Sequence, residues 1–83
     1  MTYKIDIDKK AQKFILKQQK DKRELIYKAI YNLPNGDVKA LSGHKGFYRI
    51  RVGDYRVIYT IDNGIYKICI VDVGNRGDIY KRY

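Results

Sequence analysis

Apolar and polar residues alternate with a period of two along four stretches of the chain, a pattern typical of β-strands, whose successive side chains point to opposite faces. These predicted strands span residues 3–7, 47–52, 55–61 and 65–73. Two-residue turns at Gly53-Asp54 and Asn63-Gly64 separate the last three strands. Both dipeptides favour tight hairpins, so the pattern predicts a three-stranded antiparallel meander in the second half of the chain.

A period near 3.6 replaces this alternation between residues 8 and 33, and it predicts two helices. Asp8 is the predicted N-cap of a first helix that runs to about Lys20. Asp21, with Glu24 three residues later, resembles a capping box that begins the second helix. The second helix stops at the sequence PNGD, residues 34–37, and its apolar stripe consists of Leu25, Ile26, Ala29, Ile30 and Leu33.

The order of these elements predicts a single α+β domain over residues 1–83: an N-terminal strand, a helical hairpin and then the meander. We expect both helices to pack on one face of a four-stranded sheet. The Asn-Gly turn pairs Asp62 with Ile65 and Ile58 with Cys69 in the predicted register. That register brings alternate apolar residues of the last two strands onto the face that the helices cover.

Three arginines, Arg49, Arg51 and Arg56, fall on the other face of the predicted sheet. The turn between the first two meander strands places Arg51 directly opposite Arg56, although directly opposed like charges destabilise a sheet. Because guanidinium groups present paired donors to phosphate oxygens, the cluster predicts an open site for a polyanion, most simply a phosphate backbone. By the same reasoning, Arg56→Ala should leave the fold intact, with equal or higher stability.

The predicted register also brings the end of the last strand close to these arginines. It pairs Arg56 with Val71, so the chain that leaves this strand emerges beside the Gly-Asp turn. Arg76 and Tyr80 are therefore expected near the arginine cluster, although they lie more than twenty residues further along the sequence.

The charge balance indicates the same class of partner. Eighteen Lys and Arg against nine Asp and Glu give a net charge of +9, which attracts nucleic acid or another acidic partner. A single histidine, His44, and a single cysteine, Cys69, make a zinc site or an internal disulfide unexpected, and we expect no cofactor. No apolar run has the length of a membrane span and the N-terminus lacks a signal segment, so we expect a cytoplasmic protein without membrane contact.

Two segments resemble motifs of the RelE branch of the RelE/ParE toxin superfamily: residues 41–59, LSGHKGFYRIRVGDYRVIY, and residues 71–80, VDVGNRGDIY. The predicted order of strand, two helices and meander also resembles that family, so the resemblance spans essentially the whole chain. It implies the toxin of a bacterial or archaeal toxin–antitoxin pair. The RelE branch cleaves messenger RNA in the A site of translating ribosomes.

The resemblance implies a site of five residues: Arg49, Arg51, Arg56, Arg76 and Tyr80. It implies a metal-independent attack of the ribose 2′-hydroxyl on the adjacent phosphate, which leaves a 2′,3′-cyclic phosphate and a 5′-hydroxyl. Arg56 is expected to stabilise the negative charge on the phosphate, and Arg49 and Arg51 also to hold the RNA backbone. Tyr80 is expected to stack on or orient a base. Arg76 is the family's candidate for protonating the leaving oxygen; since arginine is a reluctant acid, stabilising the charge on that oxygen describes its role better.

Two departures from the family pattern keep alternatives open. The best-studied type of this branch has lysines at the positions of Arg49 and Arg51, so the general base stays unassigned. Asn75 stands where many relatives have histidine, and an amide cannot shuttle a proton. The alternatives are a ParE-like non-catalytic toxin that inhibits DNA gyrase, and a catalytically silent relative that binds RNA or the ribosome. The complete basic set favours the ribonuclease.

The resemblance also implies partners. A cognate RelB-like antitoxin is expected, acidic in its toxin-binding part, which covers the basic surface or displaces the tail that carries Tyr80. The toxin alone is expected to be a monomer, and with its antitoxin a hetero-oligomer. The other expected partners are the ribosome and messenger RNA.

Overall fold

The computed structural model describes residues 3–83, apart from the side chain of Tyr80. Its elements in chain order are β1 (Lys4–Ile7), α1 (Lys9–Leu16), α2 (Lys20–Tyr31), β2 (Val38–Ala40), β3 (Phe47–Val52), β4 (Tyr55–Asp62), β5 (Lys67–Asn75) and α3 (Arg76–Arg82). In this part of the chain the helices are too short and too polar for any of them to cross a membrane.

The strands of the described chain form one five-stranded sheet with the order β1-β5-β4-β3-β2. β1 pairs in parallel with β5, and the other neighbouring strands are antiparallel. The α+β class is therefore confirmed, but the prediction of a four-stranded sheet is wrong. The additional strand, β2, has three residues, which is too few for alternation to stand out in the sequence.

The first helix is shorter than predicted. Asp8 occupies the N-cap of α1 as expected, but α1 ends at Leu16. At that end the amide of Lys17 donates to the carbonyl of Phe14 at 3.2 Å. A bond between residues three apart tightens the last turn and closes the helix.

The second helix begins earlier than predicted. Gln19 is the N-cap of α2, so the prediction of a capping box that starts at Asp21 is wrong. Asp21 lies in the first turn instead, where a negative side chain interacts favourably with the positive end of the helix dipole. α2 ends at Tyr31 with Asn32 as C-cap, just before the predicted stop at residues 34–37.

The Asn63-Gly64 connection is a wider loop than the predicted two-residue turn. Asp62 pairs with Lys67, two residues further along than expected. The amide of Gly64 donates to Oδ1 of Asp62 at 2.9 Å, and Tyr66 adopts a positive φ of 51°. The aspartate side chain therefore holds a local turn of its own, which widens the loop and changes the register of the following strand.

A β-bulge shifts the pairing of β4 with β5. Ile58 pairs with Asp72, whereas the next residue, Tyr59, pairs with Ile70, which leaves Val71 as the extra residue. The predicted register of this hairpin is therefore wrong. Because one residue is inserted, Asp72 points to the face opposite Ile70 instead of sharing its face.

The main core lies between the helices α1 and α2 and one face of the sheet, as predicted. Ile26 and Ile30, four residues apart on α2, face the sheet and are completely buried. Leu25, expected in the same stripe, is 54% exposed because it lies at the outer edge of that face. The buried members of the core are Ala11, Ile15, Ile26, Ile30, Leu33, Ile50, Val57, Tyr59, Ile68, Ile70 and Val73.

The third helix covers part of the opposite face, which was expected to be open. Ile79 of α3 and Ile58 of β4 are both completely buried there. α3 approaches the sheet closely at Gly74, since a Cβ atom at Gly74 would lie 2.9 Å from Cγ1 of Ile79. Helices therefore pack on both faces of the sheet, and the arginines lie on the part of the second face that α3 does not cover.

Tyr59 gives a first test of the core. Its ring is completely buried, and its hydroxyl has no hydrogen-bond partner among the described residues. We expect Tyr59→Phe to raise the free energy of unfolding by about 1 kcal/mol, because an unsatisfied buried hydroxyl is removed and the ring is kept. Urea denaturation near neutral pH measures this difference, with Tyr48→Phe as the control on the adjacent ring.

The same residue makes stability depend on alkaline pH. Burial, with a smaller contribution from Tyr48, raises the pKa of Tyr59 to about 12. The unfolded chain releases the tyrosine proton near its usual pKa of 10.0, so the folded state binds the proton more tightly. The raised pKa of Tyr59 therefore contributes to the free energy of unfolding. This contribution is fully present below about pH 10 and is lost as the pH rises towards 12. In Tyr59→Phe, the loss of stability that Tyr59 causes between about pH 10 and 12 should vanish. If stability fell with pH in the variant as it does in the parent, the loss would not come from Tyr59.

Candidate functional site

The backbones of three predicted site arginines lie close together at one end of the sheet. The predicted two-residue hairpin is confirmed and pairs Arg51 with Arg56, which pairs on its other side with Gly74. Arg76 begins α3 two residues later, and its amide donates to the carbonyl of Asp54 at 2.8 Å. The expected approach of the tail to the hairpin turn is therefore confirmed, although through a different register.

Arg56 is buried, with only 2% of its surface exposed. Its Nη1 donates to the carbonyl oxygens of Gly53 at 2.9 Å and of Tyr55 at 2.8 Å. The guanidinium group therefore lies against the hairpin turn, and the expectation of an open arginine face is wrong for this side chain. Because two backbone acceptors bind it, the structure favours a loss of stability in Arg56→Ala, in contrast to the prediction from the sequence.

Asp37, in the loop between α2 and β2, binds both arginines of β3. Nη1 of Arg49 donates to the Asp37 carbonyl at 2.9 Å and lies 3.5 Å from Oδ1. Nε of Arg51 lies 3.6 Å from Oδ2 of the same carboxylate. A negative charge between the two cations offsets their repulsion. The side chain of Arg49 is 13% exposed and that of Arg51 49%, so Arg51 is the more accessible to a ligand.

Asp72 is a buried acidic residue on the same face, which sequence reasoning missed. Its carboxylate accepts two bonds from Arg82 of α3, from Nε at 2.9 Å and from Nη2 at 3.3 Å. Nζ of Lys10 lies 3.4 Å from Oδ2. The paired geometry, typical of strong Arg–carboxylate contacts, holds α3 against β5. The one signal in the sequence was a charged residue inside an apolar run.

The end of α3 brings an aromatic side chain onto the arginine face. The ring of Tyr83 lies 5.5 Å from His44 and 6.4 Å from Phe47, measured between ring centroids. Burial and the nearby negative charge of Asp72 raise the pKa of Tyr83. Tyr80 belongs to α3 by its backbone, but its predicted contact with a base lies outside the described residues.

The charges around this face suit the binding of a polyanion. Arg51 and Arg76 are exposed beside the buried Arg56. A groove of about 520 Å³ between α1 and α3 is lined by Lys10, Lys13, Lys17 and Arg82, and also by Asp72, which pairs with Lys10 and Arg82. Residues 3–83 contain no group of three His, Cys, Asp or Glu side chains that could hold a metal ion, as far as their side chains are described. The described arginines can bind phosphate oxygens and stabilise negative charge that develops there.

Comparison with known families and proteins relates this chain to toxins. The family described as ParE toxin of type II toxin-antitoxin system, parDE, matches residues 5–80. The chain is also similar to Toxin RelE of Mycobacterium tuberculosis, with 32% identity over 59 residues. That similarity covers 70% of this chain and 61% of the relative, so the chain spans less than two thirds of that protein's length.

Solved structures share the fold. The archaeal RelE-RelB complex from Pyrococcus horikoshii OT3 contains a chain that superposes with a TM-score of 0.77 at 30% identity, covering 93% of this chain and 98% of that one. The isolated RelE toxin of E. coli superposes with a TM-score of 0.73, covering 98% of this chain and 94% of that one. Its identity is 22%, a level at which the likeness concerns the fold alone.

Proposed function

The chain belongs to the RelE/ParE toxin superfamily, and from this premise we propose that it is the toxin of a type II toxin–antitoxin pair. Its activity is ribosome-dependent cleavage of messenger RNA in the A site, which arrests translation in the cytoplasm. The observation that carries the proposal is the strand pairing that brings the backbones of Arg51, Arg56 and Arg76 to one end of the sheet. Arg51 and Arg76 are exposed there and can bind one phosphate group, while the buried Arg56 adds positive charge beneath them.

The proposed reaction is a transesterification at phosphorus. The ribose 2′-oxygen forms a bond to the adjacent phosphorus, and the bond from phosphorus to the 5′-oxygen breaks. The 2′-hydroxyl loses its proton and the leaving 5′-oxygen gains one, so the products are a 2′,3′-cyclic phosphate and a 5′-hydroxyl. Negative charge grows on the phosphate oxygens in between, and fixed cations stabilise it.

The site residues divide this work by their accessibility. Arg51 and Arg76 are exposed and contact the phosphate and the leaving oxygen directly. Arg49, tied to Asp37, holds the neighbouring backbone. Arg56 supplies positive charge from its buried position and holds the Gly53-Asp54 turn, which positions Arg51 and Arg76. Arginine stays protonated at neutral pH, so the proton transfers fall to groups other than these four, and Tyr80 is assigned to a base of the messenger.

The partners of the proposed toxin follow from its charge and its relatives. A RelE chain of Pyrococcus horikoshii OT3 forms a complex with RelB, which supports a RelB-like antitoxin for this chain. With a net charge of +9, the toxin attracts an acidic antitoxin segment as well as messenger and ribosomal RNA. The toxin alone is a monomer, and the antitoxin makes it part of a hetero-oligomer.

A second candidate function is supported by the match to the ParE family over residues 5–80. A ParE-like toxin inhibits DNA gyrase without cleaving RNA. The arginine cluster weighs against it, because gyrase inhibition does not require several cations around one phosphate. Gyrase supercoiling of a relaxed plasmid, with and without the purified protein, distinguishes the two candidates directly.

Primer extension on a defined messenger tests the proposal, with the purified protein added in the presence and absence of programmed ribosomes. We expect cuts at A-site codons only when ribosomes are present. Arg51→Ala should reduce the cutting rate about tenfold or more, since a cation at the phosphate is lost. Arg23→Ala, which removes one arginine from α2 on the other side of the sheet, serves as the matched control and should cut normally.

Two results would count against the ribonuclease. Intact messenger during proven translation would move the assignment to gyrase inhibition or to a silent binder. Normal cutting by Arg51→Ala would show that the cluster at the hairpin is not the site, even if cleavage itself occurs.

A further inference from the structure

Three aromatic rings meet on the arginine face, at a distance from the proposed cleavage site. Tyr83 follows α3, His44 lies in the loop before β3, and Phe47 begins β3. Their centroids lie 5.5 Å apart for His44 and Tyr83, and 6.4 Å apart for each of the other two pairs. We call these three residues the aromatic shelf. None of them is fully buried, so ring surface is left for a ligand.

Cationic side chains border the aromatic shelf. A groove of about 220 Å³ beside Tyr83 is also lined by Lys39, Ser42 and Arg49. Lys39 pairs with Arg49 across β2 and β3, so both project to the same face, and Lys39 is exposed. Aromatic faces next to cations are the usual combination for single-stranded nucleic acid, whose bases stack on the rings while its phosphates meet the charges.

The aromatic shelf lies too far from the cleavage site to hold the scissile phosphate. Phe47 and Arg51 are four residues apart on the same strand, which corresponds to about 13 Å along a β-strand. A ligand that spans both places must be a chain of nucleotides. The aromatic shelf therefore suits a base that neighbours the cleaved linkage.

We infer that His44, Phe47 and Tyr83 form a stacking subsite for one base of single-stranded RNA, with Lys39 beside it for the backbone phosphate. The inference rests on the proposed function, because it takes the ligand to be the messenger. It adds a base contact at Tyr83, distinct from the one assigned to Tyr80. The amide of Tyr83 donates to the Ile79 carbonyl at 3.1 Å, which holds its backbone at the end of α3, and its ring lies next to those of His44 and Phe47.

Binding of a short RNA without ribosomes tests this subsite. The probe is a 2′-O-methyl tetranucleotide, which cannot be cleaved by 2′-hydroxyl attack, titrated while the ring protons of His44, Phe47 and Tyr83 are followed by NMR. We expect these signals to shift, and Tyr83→Leu to weaken binding about 5- to 100-fold through loss of one stacked base. Tyr83→Phe should bind within about twofold of the parent, because stacking needs the ring and not the hydroxyl.

Two controls make the result specific. Tyr31→Leu removes an exposed tyrosine from α2 and should leave the affinity unchanged. A second set of probes consists of the same tetranucleotide with one base removed at each position in turn, so that every phosphate is kept. The parent protein should bind one of these abasic probes weakly, with the affinity that Tyr83→Leu shows for the intact probe. His44→Leu is a second variant on the aromatic shelf, in a loop outside α3, and should also weaken binding.

Equal affinity for the intact and all abasic probes would overturn the subsite, as would ring signals that do not move. The outcome is independent of the cleavage assay. Stacking on the aromatic shelf without ribosome-dependent cleavage would overturn the proposed function and keep an RNA subsite, whereas cleavage without stacking would overturn only the subsite.

Discussion

Arg56→Ala is expected to lower the free energy of unfolding by about 2–3 kcal/mol and to reduce messenger cleavage about 100-fold. The stability loss follows from burial, since only 2% of Arg56 is exposed. Its Nη1 donates to the carbonyl oxygens of Gly53 and Tyr55. Alanine leaves both carbonyl oxygens without this charged donor, and we expect that loss to exceed any relief of repulsion with Arg51.

The cleavage loss follows from the position of the turn that Arg56 holds. The carbonyl of Asp54, in that turn, accepts the amide of Arg76 at 2.8 Å. A turn that loosens would therefore move the backbones of Arg51 and Arg76 relative to each other, and we expect the two displaced cations to stabilise the proposed phosphate less. The proposed role of Arg56 is thus mainly to position these two residues.

Urea denaturation and primer extension on the same preparations measure the two effects. Arg51→Ala is the matched comparison, because it removes a half-exposed arginine from the opposite strand position. It should lose cleavage with a stability change of about 0.5 kcal/mol or less. Arg56→Lys keeps the charge but not the fork of donors, and should recover part of the stability. If Arg56→Ala were as stable as the parent, the hydrogen bonds from Arg56 to the turn would not stabilise the fold.

Gly74→Ala is expected to detach α3 from the sheet and to lower the free energy of unfolding by about 1–3 kcal/mol. The added Cβ atom would lie 2.9 Å from Cγ1 of Ile79 and 2.9 Å from Nη2 of Arg82. Ile79 is completely buried and cannot retreat without moving the helix. The displaced Arg82 would also weaken its paired contact with Asp72.

Gly77→Ala is the control for this prediction, because it makes the same chemical change on α3 itself. A Cβ atom at Gly77 meets nothing within 4 Å among the described residues. Alanine inside a helix is more favourable than glycine by roughly 0.5–1 kcal/mol, so Gly77→Ala should stabilise the protein slightly. Thermal unfolding of both variants, with hydrogen exchange of the α3 amides, compares them. Equal stability for both would show that α3 does not pack tightly on Gly74.

The local pattern of the sequence was enough to place most elements. Strict alternation specifies β3 because each side chain has a fixed direction relative to its neighbours. The Gly53-Asp54 turn then sets the pairing of Arg51 with Arg56, since a two-residue turn leaves no freedom in register. The approach of Arg76 to this turn was also predicted from strand pairing. These features depend on contacts within a few residues or across one tight hairpin.

Other features depended on partners that are distant in the sequence. β2 is too short to be recognised alone, and it exists because β3 offers it an edge. The bulge between β4 and β5 reconciles two strands whose apolar patterns do not match residue by residue. A side-chain bond from Asp62 widened the second turn. Local propensity does not contain these choices, because the competing registers differ only in their tertiary contacts.

The sequence by itself determined that three arginines share one face and that a fourth follows the last strand. Only the tertiary structure decided where each side chain lies: Arg56 is buried against the turn, Asp37 pairs with the arginines of β3, and α3 covers part of the face. The physical reason is that side-chain direction follows from the local backbone, whereas burial and charge pairing depend on which distant segments pack there.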